Sequence, residues 1–253
     1  MRPHSKAIRA VFAAAAVFAT ALPVAAQRPP VTAQVELVQK QPEARTAPAG
    51  KLPDASNVAV WLLPSDDAAR RAAAKVPPRP APQLVQKNKA FEPHLLVVQV
   101  GSVVEFPNKD PFFHNVFSLF EGKRFDLGLY EAGTTKSVHF DRAGVSFLFC
   151  NIHPEMSAVV IAVDSPYYTL TDRAGHASIA GVPDGPYELR VWYERGLAGD
   201  LKNLTRTVTI SDSARALGTI KVAVNPDYKL AHKNKYGQDY VPPATGTPGY
   251  SRP

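Results

Sequence analysis

Short apolar segments separated by glycine and proline, between residues 84 and 163, set the strongest limit on how this chain can fold. Short runs of branched and aromatic residues are typical of β-strands, and Gly101, Pro107 and Gly144 interrupt them as turn residues do. The 24 prolines of the chain argue against a mostly helical protein. We therefore predict a sandwich of short strands, at residues 95–100, 102–106, 137–140, 145–149 and 158–163.

Further strand patterns lie on both sides of this region. Residues 31–38 and 58–63 precede it, and an all-β stretch at 165–224 follows it. Residues 65–75 permit a short helix, and the proline-rich stretch after it is typical of a stiff linker. We expect an N-terminal pair of strands in 28–64, a Pro/Ala-rich linker at 65–83, one domain at 84–164 and a second at 165–224. Residues 225–253 lack apolar periodicity and are predicted to be a flexible tail, or to lie over a partner.

The first 26 residues have the pattern of a signal peptide. A basic start is followed by an apolar run from Ala10 to Leu22 and by small residues up to Ala26. The run has 13 residues, fewer than the roughly 20 that span a bilayer. We expect export, to the periplasm of a bacterium, with no stable membrane insertion after cleavage.

The net charge gives little support for a nucleic-acid partner. The formal charge is +7, and three of the basic residues lie in the predicted signal peptide. Without them the balance is about +4, and no basic stripe with interleaved aromatic residues is present. We predict no nucleic-acid binding.

The single cysteine, Cys150, lies close to two other soft or borderline metal ligands, His153 and Met156. In an exported protein a lone cysteine cannot form an intrachain disulfide, so it is buried, paired with another molecule or bound to metal. A thiolate, an imidazole and a thioether suit copper better than a hard cation. His114, 36 residues earlier, can supply a second imidazole if the loops of neighbouring strands converge. The alternative is that Cys150 and Met156 are core residues and that both histidines are ordinary polar residues.

The same residues resemble the cupredoxins, and most closely the amicyanin and plastocyanin branch. The resemblance covers about 80 residues and rests on Phe106-Pro107-Asn108-Lys109-Asp110, His114-Asn115-Val116 and Cys150-x-x-His153-x-x-Met156. It implies a Greek-key sandwich with one type 1 copper, bound by His114, Cys150 and His153 and axially by Met156. It also implies that the main chain of Asn115 bonds the cysteine sulfur and that its side chain ties the ligand loops together. His153 would be the electron gateway beneath an apolar surface formed by Phe112, Phe113 and Pro154.

A second resemblance lies in residues 168–191, which are similar to the carboxypeptidase regulatory-like domain, a small transthyretin-like or immunoglobulin-like sandwich. In that family two strands directly precede the matching segment. The strands at 31–38 and 58–63 fit that role, which implies that the copper domain is inserted into the small sandwich. We expect the small sandwich to bind or position a partner.

These observations predict an electron carrier rather than an enzyme, because protein ligands fill all four expected copper positions. The carrier would pass single electrons between redox partner proteins. Two alternatives stay open, a copper-handling protein that transfers the metal and a non-redox partner-binding protein. His94, His139, His176 and His232 have no partner motif and are expected to be ordinary residues. Residues 123–130 are expected to be a solvated loop, with partner docking as the alternative.

Overall fold

The computed structural model describes residues 28–39, 54–76, 79–119, 122–225 and 227–240. The predicted signal peptide and residues 241–253 lie outside the described residues. The predicted all-β class, with two sandwiches, is confirmed. The strands are β1 Val31–Gln39, β2 Ala59–Pro64, β3 Val85–Lys87, β4 Ala90–Glu92, β5 Leu95–Gln99, β6 Ser102–Pro107, β7 His114–Ser118, β8 Phe125–Tyr130, β9 Thr135–Phe140, β10 Gly144–Cys150, β11 Ser157–Val163, β12 Tyr168–Leu170, β13 His176–Ile179, β14 Gly185–Trp192, β15 Arg206–Ile210 and β16 Ala216–Val224. The described residues also contain two short helices, α1, Asp67–Ala73, and α2, Ala198–Asn203.

The larger sandwich contains strands β3 to β11. One sheet has the order β5-β11-β10-β7-β8, with β5 and β11 parallel and the other neighbours antiparallel. The pair β6-β9 and the β3-β4 hairpin complete the sandwich. Alternate side chains of these strands point into one core, which includes Val104, Phe106, Phe140, Leu148 and Val160. The same core contains Cys150 and Met156.

Strand β11 is buried on both faces, which explains its continuous apolar sequence. Ala158 and Val160 face the core of the larger sandwich, whereas Val159 and Ile161 belong to a separate apolar cluster. The second cluster also contains residues of β2 and β12, with Trp61 and Trp192 packed against it. The two sandwiches therefore share an apolar interface.

The smaller sandwich has one sheet in the order β13-β1-β16 and another in the order β12-β2-β14-β15. Its core lies between these sheets and includes Val35, Leu62, Tyr187, Leu189 and Ile220. Strand β2 pairs with β12 and β14, and β1 pairs with β13 and β16. Strands from both sides of residues 84–163 thus build one sandwich.

One expected loop is a strand in the structure, and the short helix expected within 65–75 is present. The predicted solvated loop at 123–130 is instead mostly strand β8, which pairs with β7 at the edge of the five-stranded sheet. Its half-exposed pattern and Gly128 are typical of an edge strand, and this hid it in the sequence. Within the expected linker, α1 begins after Asp66, whose side chain caps the Ala69 amide, and buries Ala69 and Ala73 against the smaller sandwich.

Residues 227–240, which we call the C-terminal segment, lie in the region expected to be a flexible tail. In the structure they contact their own chain, through side chains that include Tyr228, His232, Lys235 and Tyr240. These are polar and aromatic contacts, which leave no apolar periodicity in a sequence. Across the described part of the chain, none of the helices has the length and apolar character needed to cross a membrane.

Candidate metal centre

Neighbouring strands of the five-stranded sheet bring three of the predicted ligands, His114, Cys150 and His153, together. His114 is the first residue of β7, and Cys150 is the last residue of β10, which pairs antiparallel with β7. Residues 150–156, which we call the ligand loop, connect β10 to β11 and carry His153 and Met156. The Cys150 amide donates to the Met156 carbonyl at 3.3 Å, and the Met156 amide donates to the His153 carbonyl at 3.1 Å. The loop is therefore closed on itself at the end of a sheet.

The sulfur of Cys150 and one nitrogen of each histidine form a compact triangle. Cys150 Sγ lies 3.7 Å from His114 Nδ1 and 3.5 Å from His153 Nδ1, and the two Nδ1 atoms are 3.2 Å apart. The point equidistant from the three atoms lies about 2.0 Å from each, close to the 2.0–2.3 Å typical of metal bonds to imidazole and thiolate. The triangle therefore has the size of a transition-metal site.

The environment of the triangle keeps both imidazoles neutral. Burial lowers the pKa of His114, against the opposing effect of Asp110, and burial also lowers the pKa of His153. Burial raises the pKa of the Cys150 thiol, while hydrogen bonds from the main chain of Asn115, Ile152 and His153 oppose this rise. Neutral imidazoles offer lone pairs to a metal, whereas the thiol must lose its proton when a metal binds.

Asp110 fixes the orientation of His114, a role that was not predicted from the sequence. Both side chains are buried, and His114 Nε2 donates to Asp110 Oδ2 at 2.9 Å. Because a carboxylate can only accept, the proton of neutral His114 resides on Nε2 and the Nδ1 lone pair faces Cys150. Such a carboxylate behind a histidine ligand sets its tautomer and makes it a stronger donor to the metal.

The β3-β4 hairpin holds Asp110 in turn. Asn88 and Lys89 form its two-residue turn, both with φ of +55°, and their amides donate to Asp110 at 2.6 and 3.0 Å. Burial alone would raise the pKa of Asp110, but these amides and His114 lower it. The carboxylate is therefore ionised beside His114. In the sequence, the only signal for Asp110 is the Asn-x-Asp pattern at 108–110, in which Asp110 precedes His114 by four residues.

Asn115 joins the first ligand strand to the ligand loop through its main chain. Its carbonyl accepts from the Asn151 amide at 3.0 Å, and its main chain also bonds the Cys150 sulfur. The resemblance implied that the side chain ties the loops together. Instead, Asn115 Nδ2 donates to Asp126 Oδ1 on β8 at 2.6 Å.

Met156 follows His153 by three residues in the sequence, and it is 1 % exposed within the core of the larger sandwich. Of the other histidines, His94 pairs with Glu194 at 2.7 Å, and His139 is an exposed residue of β9. His232 contacts the ligand loop, where its Nε2 lies 2.9 Å from the Pro154 carbonyl oxygen. Sequence reasoning missed this role because the contact spans 78 residues.

An apolar depression opens beside His153 at the surface. It is lined by Pro111, Phe112, Phe113, Glu131, Ala132, Ile152 and His153. Phe113 is 53 % exposed and Ile152 43 % exposed, whereas Phe112 packs at 5.4 Å from the His153 ring. Half-buried His153 thus connects the triangle to an apolar surface.

No protein-family model matches the chain, and no curated protein matches it. Among solved structures, a purple cupredoxin from Nitrosopumilus maritimus matches with a TM-score of 0.30 and 23 % identity, over 32 % of this chain and 99 % of that one. A methionine-to-alanine mutant of amicyanin with Cu(I) matches with a TM-score of 0.32 and 24 % identity, over 36 % and 90 %. A copper-containing nitrite reductase from Thermus scotoductus matches with a TM-score of 0.32 and 19 % identity, over 51 % and 28 %. These neighbours include an enzyme as well as amicyanin.

Proposed function

We propose that this chain is an exported type 1 copper protein that carries single electrons between redox partner proteins. The observation that carries the proposal is the triangle of Cys150 Sγ, His114 Nδ1 and His153 Nδ1. One thiolate with two imidazoles is the in-plane ligand set of blue-copper electron-transfer sites, with a weak axial thioether as the fourth donor. We assign that fourth position to Met156, which lies in the same loop and core.

Copper bound in this triangle would supply a one-electron couple. The chain contributes a rigid support, since strands β7 and β10 hold His114 and Cys150 and the Asp110 carboxylate orients His114. A site that changes little between oxidation states has a low barrier to electron transfer. His153, beside the apolar depression, gives a partner protein a short path to the site.

Domain roles are part of the same proposal. The copper domain spans residues 84–164, and the smaller sandwich is a carboxypeptidase regulatory-like module that positions a partner. Two observations support this assignment of the smaller sandwich. One is the turn at Gly175, and the other is that β2, which precedes the larger sandwich in the sequence, pairs with β12 and β14, which follow it. The predicted export to the periplasm rests on the sequence of residues 1–26 alone.

The test is a visible and electron spin resonance spectrum after addition of Cu(II) to the purified protein. We expect an intense thiolate-to-copper charge-transfer band, and its loss in Cys150→Ser. A colourless copper-loaded protein would refute the proposal. Because His153 is only half-buried, copper handling is the alternative. Transfer of Cu(I) to an acceptor faster than electron self-exchange would favour that alternative.

A further inference from the structure

The C-terminal segment connects the smaller sandwich to the ligand loop. It follows β16, where the Asn225 amide donates to the Arg195 carbonyl at 2.8 Å. Tyr228 then donates its hydroxyl to Glu194 at 3.2 Å, and the chain continues over the end of the larger sandwich. Residues at 232–240 therefore reach the predicted metal centre from a separate part of the fold.

Three hydrogen bonds join this segment to three different residues of the ligand loop. The Lys235 amide donates to Asn151 Oδ1 at 3.0 Å, and His232 Nε2 donates to the Pro154 carbonyl at 2.9 Å. The Tyr240 hydroxyl donates to the carbonyl of Cys150 itself at 2.9 Å. The contacts lie at the start and the middle of the loop, on both sides of His153.

Aromatic packing holds the donors in place. The His232 ring stacks on Phe149, the residue before Cys150, with centroids 3.9 Å apart, and Tyr240 packs edge-on against His232. Phe149 is buried in the sheet, so it offers a fixed surface. The positions of the His232 and Tyr240 side chains are therefore held by packing at the end of β10 as well as by the ligand loop.

A tight turn places Lys235 between the ligand loop and Asp126 of β8. Asn234 Oδ1 accepts the amides of Tyr236 and Gln238 at 2.9 and 3.0 Å, and this closes the turn. The Lys235 ammonium pairs with Asp126 at 2.8 Å, and Asp126 accepts from the side chain of Asn115. Lys235 therefore contacts the ligand loop through its amide, and through Asp126 it is linked to Asn115, the residue after His114.

We propose that the C-terminal segment is a positioning element of the metal centre, which holds the main chain of the ligand loop in its metal-binding conformation before metal arrives. It acts through Cys150, Asn151 and Pro154 and touches no ligand atom. The identity of the metal rests on the proposed copper function, whereas the restraint on the loop does not.

The first test measures amide hydrogen exchange in the metal-free full chain. Tyr240→Phe removes the donor to Cys150 but keeps the ring, and His232→Phe keeps the stack on Phe149 but removes the donor to Pro154. We expect exchange of loop amides 151–153, 155 and 156 to be about threefold to tenfold faster in each variant, the factor for one lost hydrogen bond. The matched control is Tyr236→Phe, the same change at a side chain that is 70 % exposed. Strand β14 serves as the internal reference.

Loop exchange equal to that of the unmodified chain in both variants would overturn the proposal. Acceleration of the same size in β14 would also count against it, because it would show a general loss of stability.

A second readout uses the copper-loaded protein. Tyr240→Phe should release Cu(I) to a chelator about threefold to tenfold faster and should change the Cu(II) spin-resonance hyperfine splitting, while Tyr236→Phe should do neither. Unchanged release and an unchanged spectrum would contradict the positioning role. If the unmodified chain forms no thiolate-bound copper at all, the proposed function fails, and the exchange experiment still decides the role of the segment.

Discussion

Replacement of Asp110 by asparagine is the sharpest test of how the site is held. The carboxylate accepts three hydrogen bonds, on Oδ1 from the Asn88 amide and on Oδ2 from the Lys89 amide and His114 Nε2. Asparagine has one acceptor oxygen, so at least one of these donors must face an NH₂ group; the His114 donor is buried, and the two amide donors are partly buried. An unsatisfied donor costs about 1–3 kcal/mol when it is buried and less when water reaches it, so we expect the unfolding free energy of the metal-free protein to fall by up to about 3 kcal/mol.

The effect on the metal depends on which way the amide lies. With its NH₂ group towards His114, the imidazole takes the other tautomer and its Nδ1 proton points at the metal position. With its oxygen towards His114, the hydrogen bond persists but loses its charge. Changes of this kind typically weaken metal binding by 10–100-fold, about 1.4–2.7 kcal/mol.

Competition with a Cu(I) chelator measures this affinity. The matched control is Asp141→Asn, the same change at an exposed carboxylate of the larger sandwich that pairs with Lys123. Equal affinities of the two variants would refute the argument that Asp110 orients His114. A loss of stability with unchanged affinity would assign Asp110 a purely structural role.

Three further changes test other parts of the structure. Met156→Leu should retain copper and raise the reduction potential measured by voltammetry, because the weak axial donor favours the oxidised ion; an unchanged potential would remove Met156 from the ligand set. Both ring nitrogens of His94 face acceptors, Ser157 O and Glu194, and the hydrogen bond to Glu194 raises the His94 pKa against the effect of burial. The pair should therefore stabilise the fold by up to about 1 kcal/mol below pH 6.5, and this stability should disappear as the pH rises through the folded pKa. Thermal unfolding of the unmodified chain and of His94→Gln should then differ more at pH 6 than at pH 8.5, and a constant difference would contradict the assignment. Gly175→Ala should destabilise the protein well beyond Gly181→Ala, since both have positive φ but only at Gly175 would a Cβ lie 2.1 Å from the Val35 carbonyl oxygen. The control should lose about 1–2 kcal/mol in chemical denaturation, and equal losses would show that the close approach is relieved.

The sequence predicted the strands that carry an uninterrupted apolar pattern, because burial alone specifies them. Strand β11 is an example, since both of its faces pack on apolar neighbours. Strand β8 was missed because an edge strand buries few residues. The short strands β3 and β4 were also missed, and their turn depends on positive φ at Asn88 and Lys89, which are not glycines.

At the site, residue chemistry together with the cupredoxin resemblance led to the prediction of His114, Cys150, His153 and Met156, and the structure places the first three within contact distance. The residues around them could not be found in the same way. Asp110 becomes meaningful only when a hairpin 21 and 22 residues away supplies two amides. His232 and Tyr240 are 78 and 90 residues from their partners in the ligand loop. Polar contacts of this range leave no periodic pattern in the sequence, whereas metal ligands must be of a few residue types.

Glu194 links the two sandwiches to the C-terminal segment, and its position suggests why the fold combines them. One carboxylate oxygen accepts from His94 of the larger sandwich, and the other accepts from Tyr228 of the segment. His94 in turn contacts the carbonyl of Ser157, the residue directly after Met156. A shift of the smaller sandwich would therefore act on both ends of the ligand loop, through Ser157 and through the segment at Cys150. The apolar interface at Val159 and Ile161 opposes such a shift, so these contacts link the position of the smaller sandwich to the position of the ligand loop.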